Sequence, residues 1–423
     1  MGRPVTIIGG GLAGLTLGIG LRQEGVPVTI YESGDYPRHR VCGEFISGRG
    51  QAVLERLSLL TDFEKAGAVY ARTAVFISGT AKSPVRKLAA PALCLSRYKM
   101  DALLAAKFQE LGGDLRVRSR SSGAGILPAR PIAIMPDPQI VETVHEPPRS
   151  AGVPPAGYSG VSPPVSRPAI HDAGITETGH EPGRADLPVG QDARPRVPTG
   201  FSAEGIILAT GRRLQPAENE IRWFGVKAHI ASGSPVDLEA DLEMHISPDG
   251  YVGINRVNDG EVNVCGLFRA RPDKQRPESK MEWLLGQSDS PLRQRLKSAQ
   301  FDPQSFCSVA GIQLRPRRAM SHDDCCIGDT LTMTPPVTGN GMSMAFESAE
   351  IAREPIVAYS RGEITWPEAR RQIAARCDTA FSRRLAWARV LQWMMITRTV
   401  QNSFGKFLLQ STWLWQFMFD RTR

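Results

Sequence analysis

Long apolar runs are missing from this chain. Past its N-terminal stretch nothing approaches the ~20 consecutive apolar residues that a membrane-spanning helix needs. Cysteine is scarce: Cys42, Cys94, Cys265, Cys307, Cys325, Cys326 and Cys377 are odd in number, scattered and without C-x-x-C spacing. That argues against a disulfide framework or a zinc site and for reduced thiols in a cytosol. Also missing is any Lys/Arg run interleaved with aromatics, so nucleic acid is not an expected partner despite the net charge of +8. The positive balance suits an anionic small molecule or an acidic membrane surface. With 41% hydrophobic and 22% charged residues in 423, the composition is that of a soluble protein with room for two domains and an insertion.

The most informative stretch runs from Val5 to Glu32. Val5 to Ile8 is a short β-branched strand, and Gly9, Gly11 and Gly14 fill a G-x-G-x-x-G pattern around Leu12 and Ala13. A helix continues to Gln23, and a second strand, Val28 to Tyr31, ends in the acid Glu32. Gly9 permits a tight turn, Gly11 lets backbone approach a pyrophosphate, and Gly14 lets helix and strand pack closely. The helix N-terminus offers free N–H groups to the phosphates, and Glu32 is placed to accept the ribose hydroxyls of an adenosine. Set between two strands and opening a helix, the pattern is specific where three glycines alone would be weak. The mostly apolar run after Arg3 also invites reading as a signal peptide, and Gly2 with Thr6 as a myristoylation site. Its glycines, the want of a small-residue cleavage site and the closeness of Gly2 to a buried strand argue against both.

Beyond Glu32, Tyr36 to Ser47 is a loop marked by Pro37 and Gly43. Arg38, His39 and Arg40 are either a solvated basic turn or an answer to phosphate charge, and Cys42 is either a structural thiol or part of a pocket wall. Gln51 to Ala66 has helical periodicity, Tyr70 to Ser78 alternates like a strand, and Leu95 to Leu111 contains another helix. Arg97 near its start is either a surface charge or a phosphate ligand. Between 121 and 200 the composition changes: 15 of the 32 prolines and 10 of the 41 glycines fall there, with little periodicity. We read this segment as a disordered insertion without a catalytic role; its His145, His171 and His180 are too dispersed for a metal site.

Gly205 to Gly211 resumes the fold as a buried strand, and Trp223 to Phe268 reads as strands separated by turns at Pro248-Asp249-Gly250 and Asn258-Asp259-Gly260, an antiparallel pattern. Short helices follow at Met281 to Leu285 and Pro291 to Ala299. The second informative stretch is a strand ending in Gly328-Asp329, then a Pro/Gly loop through Gly339-Asn340-Gly341-Met342 into a helix reaching about Tyr359, with a kink expected at Pro355. An acid there can bond a polyol, and N–H groups from Gly341 onward can meet a flavin's pyrimidine edge; a plain capped helix is the other reading. From Ile364 the chain is helical, and its aromatic tail (Trp387, Trp393, Trp413, Trp415, Phe417, Phe419) either covers the core or touches a lipid surface.

Gly9, Gly11, Gly14 and Glu32, the Arg-x-Cys-Gly-Glu loop from Arg40 to Glu44, Arg97 before Asp101-Ala102-Leu103, Ala209-Thr210-Gly211, Gly328-Asp329 and Pro336 to Ala345 carry a resemblance in their order and spacing. The chain resembles the FAD-dependent oxidoreductases of the geranylgeranyl reductase type. These stand within the glutathione reductase-type FAD superfamily that includes para-hydroxybenzoate hydroxylase-like monooxygenases and flavin halogenases. The likeness covers nearly all of the chain outside 121–200 and is looser over the last fifty residues. It implies FAD along the first domain, with Glu32 at the adenosine ribose, Gly9 to Gly14 at the pyrophosphate and Asp329 at the ribityl chain. Gly339 to Met342 would meet the flavin ring, and Cys42-Gly43 would approach ring and pocket. Cys42 is thus the one candidate for a catalytic position, and Arg40 and Arg97 join the cofactor-binding set.

The implied fold is α/β: a Rossmann-like FAD-binding domain with a parallel central sheet, an antiparallel β-sheet substrate domain, and C-terminal helices. Residues 1–66, 97–120, 201–217 and 309–360 would build the first, 67–96 and 218–308 the second, and 361–423 the helices. Three departures stand out. Ala209-Thr210-Gly211-Arg212-Arg213 takes the place of the hydroxylases' Asp-Gly motif; the halogenase Trp-x-Trp-x-Ile-Pro signature is missing; and Thr330-Leu331 follows Gly328-Asp329 where small residues are usual. The leading expectation is hydride transfer between FAD and a hydrophobic organic substrate, reducing or forming a C=C bond in an isoprenoid or polyketide-like molecule. The alternative is FAD-dependent monooxygenation of a hydrophobic or aromatic substrate, and the outside alternative a non-catalytic dinucleotide-binding protein. NAD(P)H would visit transiently, since no second dinucleotide fold is visible. No general base can be named: Glu44, His229, Glu243 and His245 are candidates by position, each read first as a structural or solvated residue. A cytoplasmic location is expected, with peripheral membrane contact through the aromatic tail as a variant.

Overall fold

The computed structural model describes residues 2–122, 125–128, 204–212, 222–270, 279–286, 290–397, 399–400 and 409–422. Most of the expected disordered insertion at 121–200 lies outside them; where it begins, Ser119–Ser122 pairs antiparallel with Gly125–Pro128. Two sheets organise the rest. The first is parallel, in the spatial order Cys325–Cys326, Ile206–Leu208, Val5–Ile8, Val28–Tyr31, Asp114–Arg116. Its central strand is flanked on both sides, with Ile8 opposite Leu208 and Tyr31. Both faces of such a strand are covered, so it reads as an unbroken β-branched run.

Helix Leu12–Gln23 buries ten consecutive residues, Leu12 through Leu21, which is why it carries no amphipathic stripe. Helices Arg97–Glu110 and Gly341–Arg361 pack against it and share one core with the parallel sheet. The last of these runs continuously through Pro355, where the sequence suggests a kink.

The second sheet has the order Phe301–Ile312, Arg222–Ile230, Glu261–Ala270, Gly250–Val257, Leu242–Ser247, Val69–Ser78, Arg86–Cys94, Phe45–Ile46. It is mixed: Leu242–Ser247 runs parallel to Val69–Ser78. The antiparallel expectation rested on turn signals, and these govern only strands joined by short turns. The two strands of the parallel pair come from segments far apart in the chain, so no hairpin sets their direction. Phe301–Ile312 also crosses the expected boundary at 308/309. Alternation divides the sheet's faces. Val226, Ala228, Ile230, Val252 and Ile254 pack on helices Lys280–Leu285 and Pro291–Leu296, while Tyr251, Leu267 and Ile312 face Val337, Leu391 and Met395. Helix Trp366–Ile396, opened by Pro367 in its first turn, packs on Gly341–Arg361, and Thr412–Thr422 packs back on it. No helix of the described residues is long and apolar enough to cross a membrane.

Candidate active site

The chain passes between the two sheets at 32–45 and 312–325, and a cleft of about 660 Å³ opens where these crossings and the 209–212 strand end meet the C-terminal ends of the parallel strands. Ligands in doubly wound sheets sit at that edge. Gly9, Gly11, Leu12, Ala13, Glu32, Arg40, Cys42, Arg97, Gly328, Asp329, Gly341 and Met342 all line it. Three expected residues do not. Gly14 stands behind the wall, and Asn340, 1% exposed, turns its Nδ2 to the carbonyl of Thr422. Gly339 borders a neighbouring chamber instead.

Each glycine of the turn has a distinct steric position. Gly9 has φ +112°, and a Cβ there would stand 2.2 Å from the Ala209 carbonyl oxygen. A Cβ on Gly14 would lie 2.0 Å from the Gly9 carbonyl oxygen, whereas one on Gly11 would meet nothing within 4 Å. The space at Gly11 opens on the cleft. Helix Leu12–Gln23 has no side chain capping its N-terminus, so its first N–H groups also face the cleft unsatisfied by side chains. Gly341, at the start of the second such helix, likewise has open space where a Cβ would be.

Glu32 is 4% exposed and heavily subscribed. It accepts from the Gly10 and Gly34 N–H groups at 2.9 Å each, from Ser33 Oγ at 3.1 Å and from Arg38 at 2.5 Å. Burial pushes its pKa up, but Arg38, Arg40 and the Gly34 N–H outweigh that and hold it below the usual carboxylate value. Ribose hydroxyls would compete with Arg38 for this carboxylate. Arg97 is not free to act as a loose phosphate ligand: Asp101, fully buried, holds it through two bonds of 2.7 and 2.8 Å and takes Arg40 Nε at 3.1 Å. Asp101 therefore sets the positions of two cleft cations. Its place one helical turn after Arg97 was the available signal.

Asp329 sits in the turn Gly328–Thr330, and Arg212 lies 3.5 Å from it while donating to the Val41 carbonyl at 2.8 Å. Thr330, an apparent misfit in sequence, accepts the Gly211 N–H at 2.8 Å and so ties the two strand ends that floor the cleft. Cys42 borders the cleft and the chamber beyond, its Sγ accepting the Glu44 N–H at 3.5 Å and its carbonyl receiving Asn263 Nδ2.

Beneath that loop lies a charge network that motif reading did not assemble. Glu44, fully buried with φ +57°, takes Lys227 Nζ at 2.6 Å on one oxygen and His229 Nε2 at 2.7 Å on the other. It also accepts the Arg97 N–H at 2.7 Å, while His229 Nδ1 reaches Glu261 at 3.0 Å. Burial raises the Glu44 pKa, but Lys227 and His229 overcome it, so the carboxylate is ionised and the fold is clamped to it. Glu243 pairs with His245 at 2.9 Å and accepts from Arg295. All four expected base candidates thus have structural partners.

From the cleft, a chamber of about 130 Å³ continues past Cys42 and Met342, walled by Gly43, Gly253, Gly266, Gly339 and Gly341. Gly341 leaves open space there, whereas the places a Cβ would take at Gly266 and Gly339 are filled by the Phe268 and Phe45 rings. Phe45, Gly43, Met244 and Gly253 border this chamber and also an apolar cavity of about 190 Å³ between the second sheet and the C-terminal helices. Val75, Phe76, Leu391, Met394, Trp415 and Met418 line that cavity, so part of the aromatic tail faces inward; Trp393 and Trp413 remain exposed. Among the described residues no group of His, Cys, Asp and Glu is arranged to hold a metal.

Residues 3–125 match the family model of the FAD binding domain. No curated protein sequence matches the chain. Solved structures of similar fold include the flavin-dependent brominase Bmp2, at 16% identity over 99% of this chain and 92% of the other, with a TM-score of 0.64. PqsL of Pseudomonas aeruginosa, a probable FAD-dependent monooxygenase, aligns at 13% identity over 96% of this chain and 99% of its own, TM-score 0.58. The p-nitrophenol 4-monooxygenase PnpA of Pseudomonas putida DLL-E4 aligns at 13% identity over 99% and 97%, TM-score 0.60. At these identities the likeness is one of fold.

Proposed function

Starting from an FAD-binding domain at residues 3–125, we propose that the protein is a flavoenzyme, an oxidoreductase of the FAD-dependent monooxygenase type acting on a hydrophobic substrate. One observation carries the reading: the dinucleotide cleft, the glycine-walled chamber and the apolar cavity follow one another through shared walls at Cys42, Met342, Gly43 and Phe45. The residues suit the cofactor, since Gly11 and Gly341 leave room for it and two uncapped helix N-termini point at its path.

In this reading Gly9 to Ala13 hold the pyrophosphate, Glu32 the adenosine ribose, and Asp329 the ribityl hydroxyls. Gly341 and Met342 meet the ring, and Arg40, Arg97 and Arg212 offset the phosphate charge. Bound FAD supplies two-electron redox chemistry and, once reduced, reaction with O₂. The chain's share is to place an apolar substrate beside the ring and keep water out. Phe45 divides chamber from cavity, and the C-terminal helices close the far side. NAD(P)H as a transient donor belongs to the same proposal.

Monooxygenation is preferred over C=C reduction because the neighbouring folds include a monooxygenase, a probable monooxygenase and a brominase. This reverses the order expected from the geranylgeranyl reductase resemblance. The test is anaerobic NADPH addition to the FAD-loaded protein with and without an apolar aromatic compound, followed by isotopically labelled O₂. A monooxygenase reduces its flavin faster with the compound present and puts one labelled oxygen atom into product. Flavin reduction indifferent to the compound, with no label in product, restores the reductase reading.

A further inference from the structure

Arg86 opens the strand Arg86–Cys94 and faces the apolar cavity, where it is 8% exposed. One guanidinium nitrogen donates to the Leu409 carbonyl at 2.5 Å, and the group lies 5.3 Å from the centre of the Trp415 ring. Its Nε is buried without an acceptor, and no carboxylate among the described residues pairs with it. The other ionisable wall residue, Glu243, is no counter-ion, because the Glu239 N–H, His245 and Arg295 already occupy it. Burial works against the charge of Arg86. A cation removed from water, stacked on an indole and left with a free donor is costly unless an anion completes it.

We propose that the apolar cavity takes an amphipathic carboxylate, its apolar body among Val75, Phe76, Leu391 and Met418 and its anionic group on Arg86. The proposal rests on reading this cavity as the substrate site, and it adds the chemical class of the substrate. Arg86 borders only the apolar cavity, whereas Phe45 borders both it and the ring chamber. The carboxylate is therefore anchored away from the reacting end, and Arg86 orients the substrate without taking part in the chemistry.

Calorimetric titration of the FAD-loaded protein with 4-butylbenzoate and its neutral isostere 4-butylbenzamide, near neutral pH, tests this. A hydrogen bond to a charged group corresponds to about 10- to 150-fold in affinity, so the benzoate binds tighter than the amide by about that factor. Arg86→Met removes the difference and leaves amide affinity within about twofold. Arg86→Lys, which keeps a point charge but not the planar fork, falls between. Equal binding of the two probes by the wild-type protein overturns the proposal without any variant. So does a parallel loss of both in Arg86→Met, or the lack of saturable heat from either. Because heat of binding does not depend on turnover, failure here is distinct from failure of the monooxygenase reading, which is judged on oxygen incorporation.

Discussion

Replacing Gly11 and Gly14 by alanine, one at a time, separates cofactor binding from folding within a single turn. Gly14 lies inside helix Leu12–Gln23, where alanine ordinarily gains up to ~1 kcal/mol over glycine. Here the new methyl would sit 2.0 Å from the Gly9 carbonyl oxygen and 3.2 Å from the Ala209 Cβ. Backbone oxygen cannot swing aside, so the helix must move off the strand, at a cost of ~1–3 kcal/mol even after the propensity gain. Gly11 is the opposite case: its Cβ meets no protein atom within 4 Å and its φ of −85° suits any residue. Stability should change by less than ~1 kcal/mol. The methyl instead stands where the pyrophosphate approaches. Losing two N–H bonds to a charged group at ~1.5–3 kcal/mol each weakens FAD binding by about 10²–10⁴-fold. Denaturant midpoints of the FAD-free proteins and FAD fluorescence titrations read the two effects. Wild-type FAD affinity in Gly11→Ala, or undiminished stability in Gly14→Ala, would refute the reasoning.

Lys227→Met strands the buried Glu44 carboxylate and should destabilise the fold by ~3–5 kcal/mol; adding Glu44→Gln should recover a large part, as measured by denaturation. His39 is held down to about 4 by burial and by the charges of Lys227 and His229. The unfolded chain therefore takes up a proton near pH ~6.5 that the folded one refuses until about 4, so stability is full above that window and falls as pH drops through it. His39→Gln should flatten this acid limb in melting curves recorded across the range. Phe45→Ala should leave FAD affinity intact but join ring chamber to apolar cavity, lowering the fraction of reducing equivalents recovered in product.

The parallel sheet and its Gly-rich turn were legible because their signals are local. Val5–Ile8, Leu12–Gln23 and Val28–Tyr31 follow one another within thirty residues, and Gly9 and Gly14 have steric duties that spacing reveals. The place of Asp329 at a strand-end turn on the cleft was legible for the same reason. What stayed hidden depends on which surface covers which. Lys227 and His229 alternate with Val226, Ala228 and Ile230, a pattern that reads as a solvated strand face. The Arg40–Glu44 loop covers that face and turns it into a buried ion network. Arg97 likewise reads as a loose cation, because only the fold shows Asp101 shared between it and Arg40. The inward turn of Trp415 and Met418, and with it the apolar cavity, depends on how helix Thr412–Thr422 docks, which helical periodicity alone leaves open.

The central claim is that the cleft beside Gly11 and Glu32 holds FAD, and the most direct test is the absorbance spectrum of the purified protein before and after reconstitution. Flavin bands that stay with the wild-type protein after unbound cofactor is removed but are lost from Gly11→Ala treated the same way, and a cofactor released on denaturation that behaves as FAD, are what the account predicts. A colourless protein that takes up no FAD at any concentration tried would contradict it and leave the cleft to some other dinucleotide.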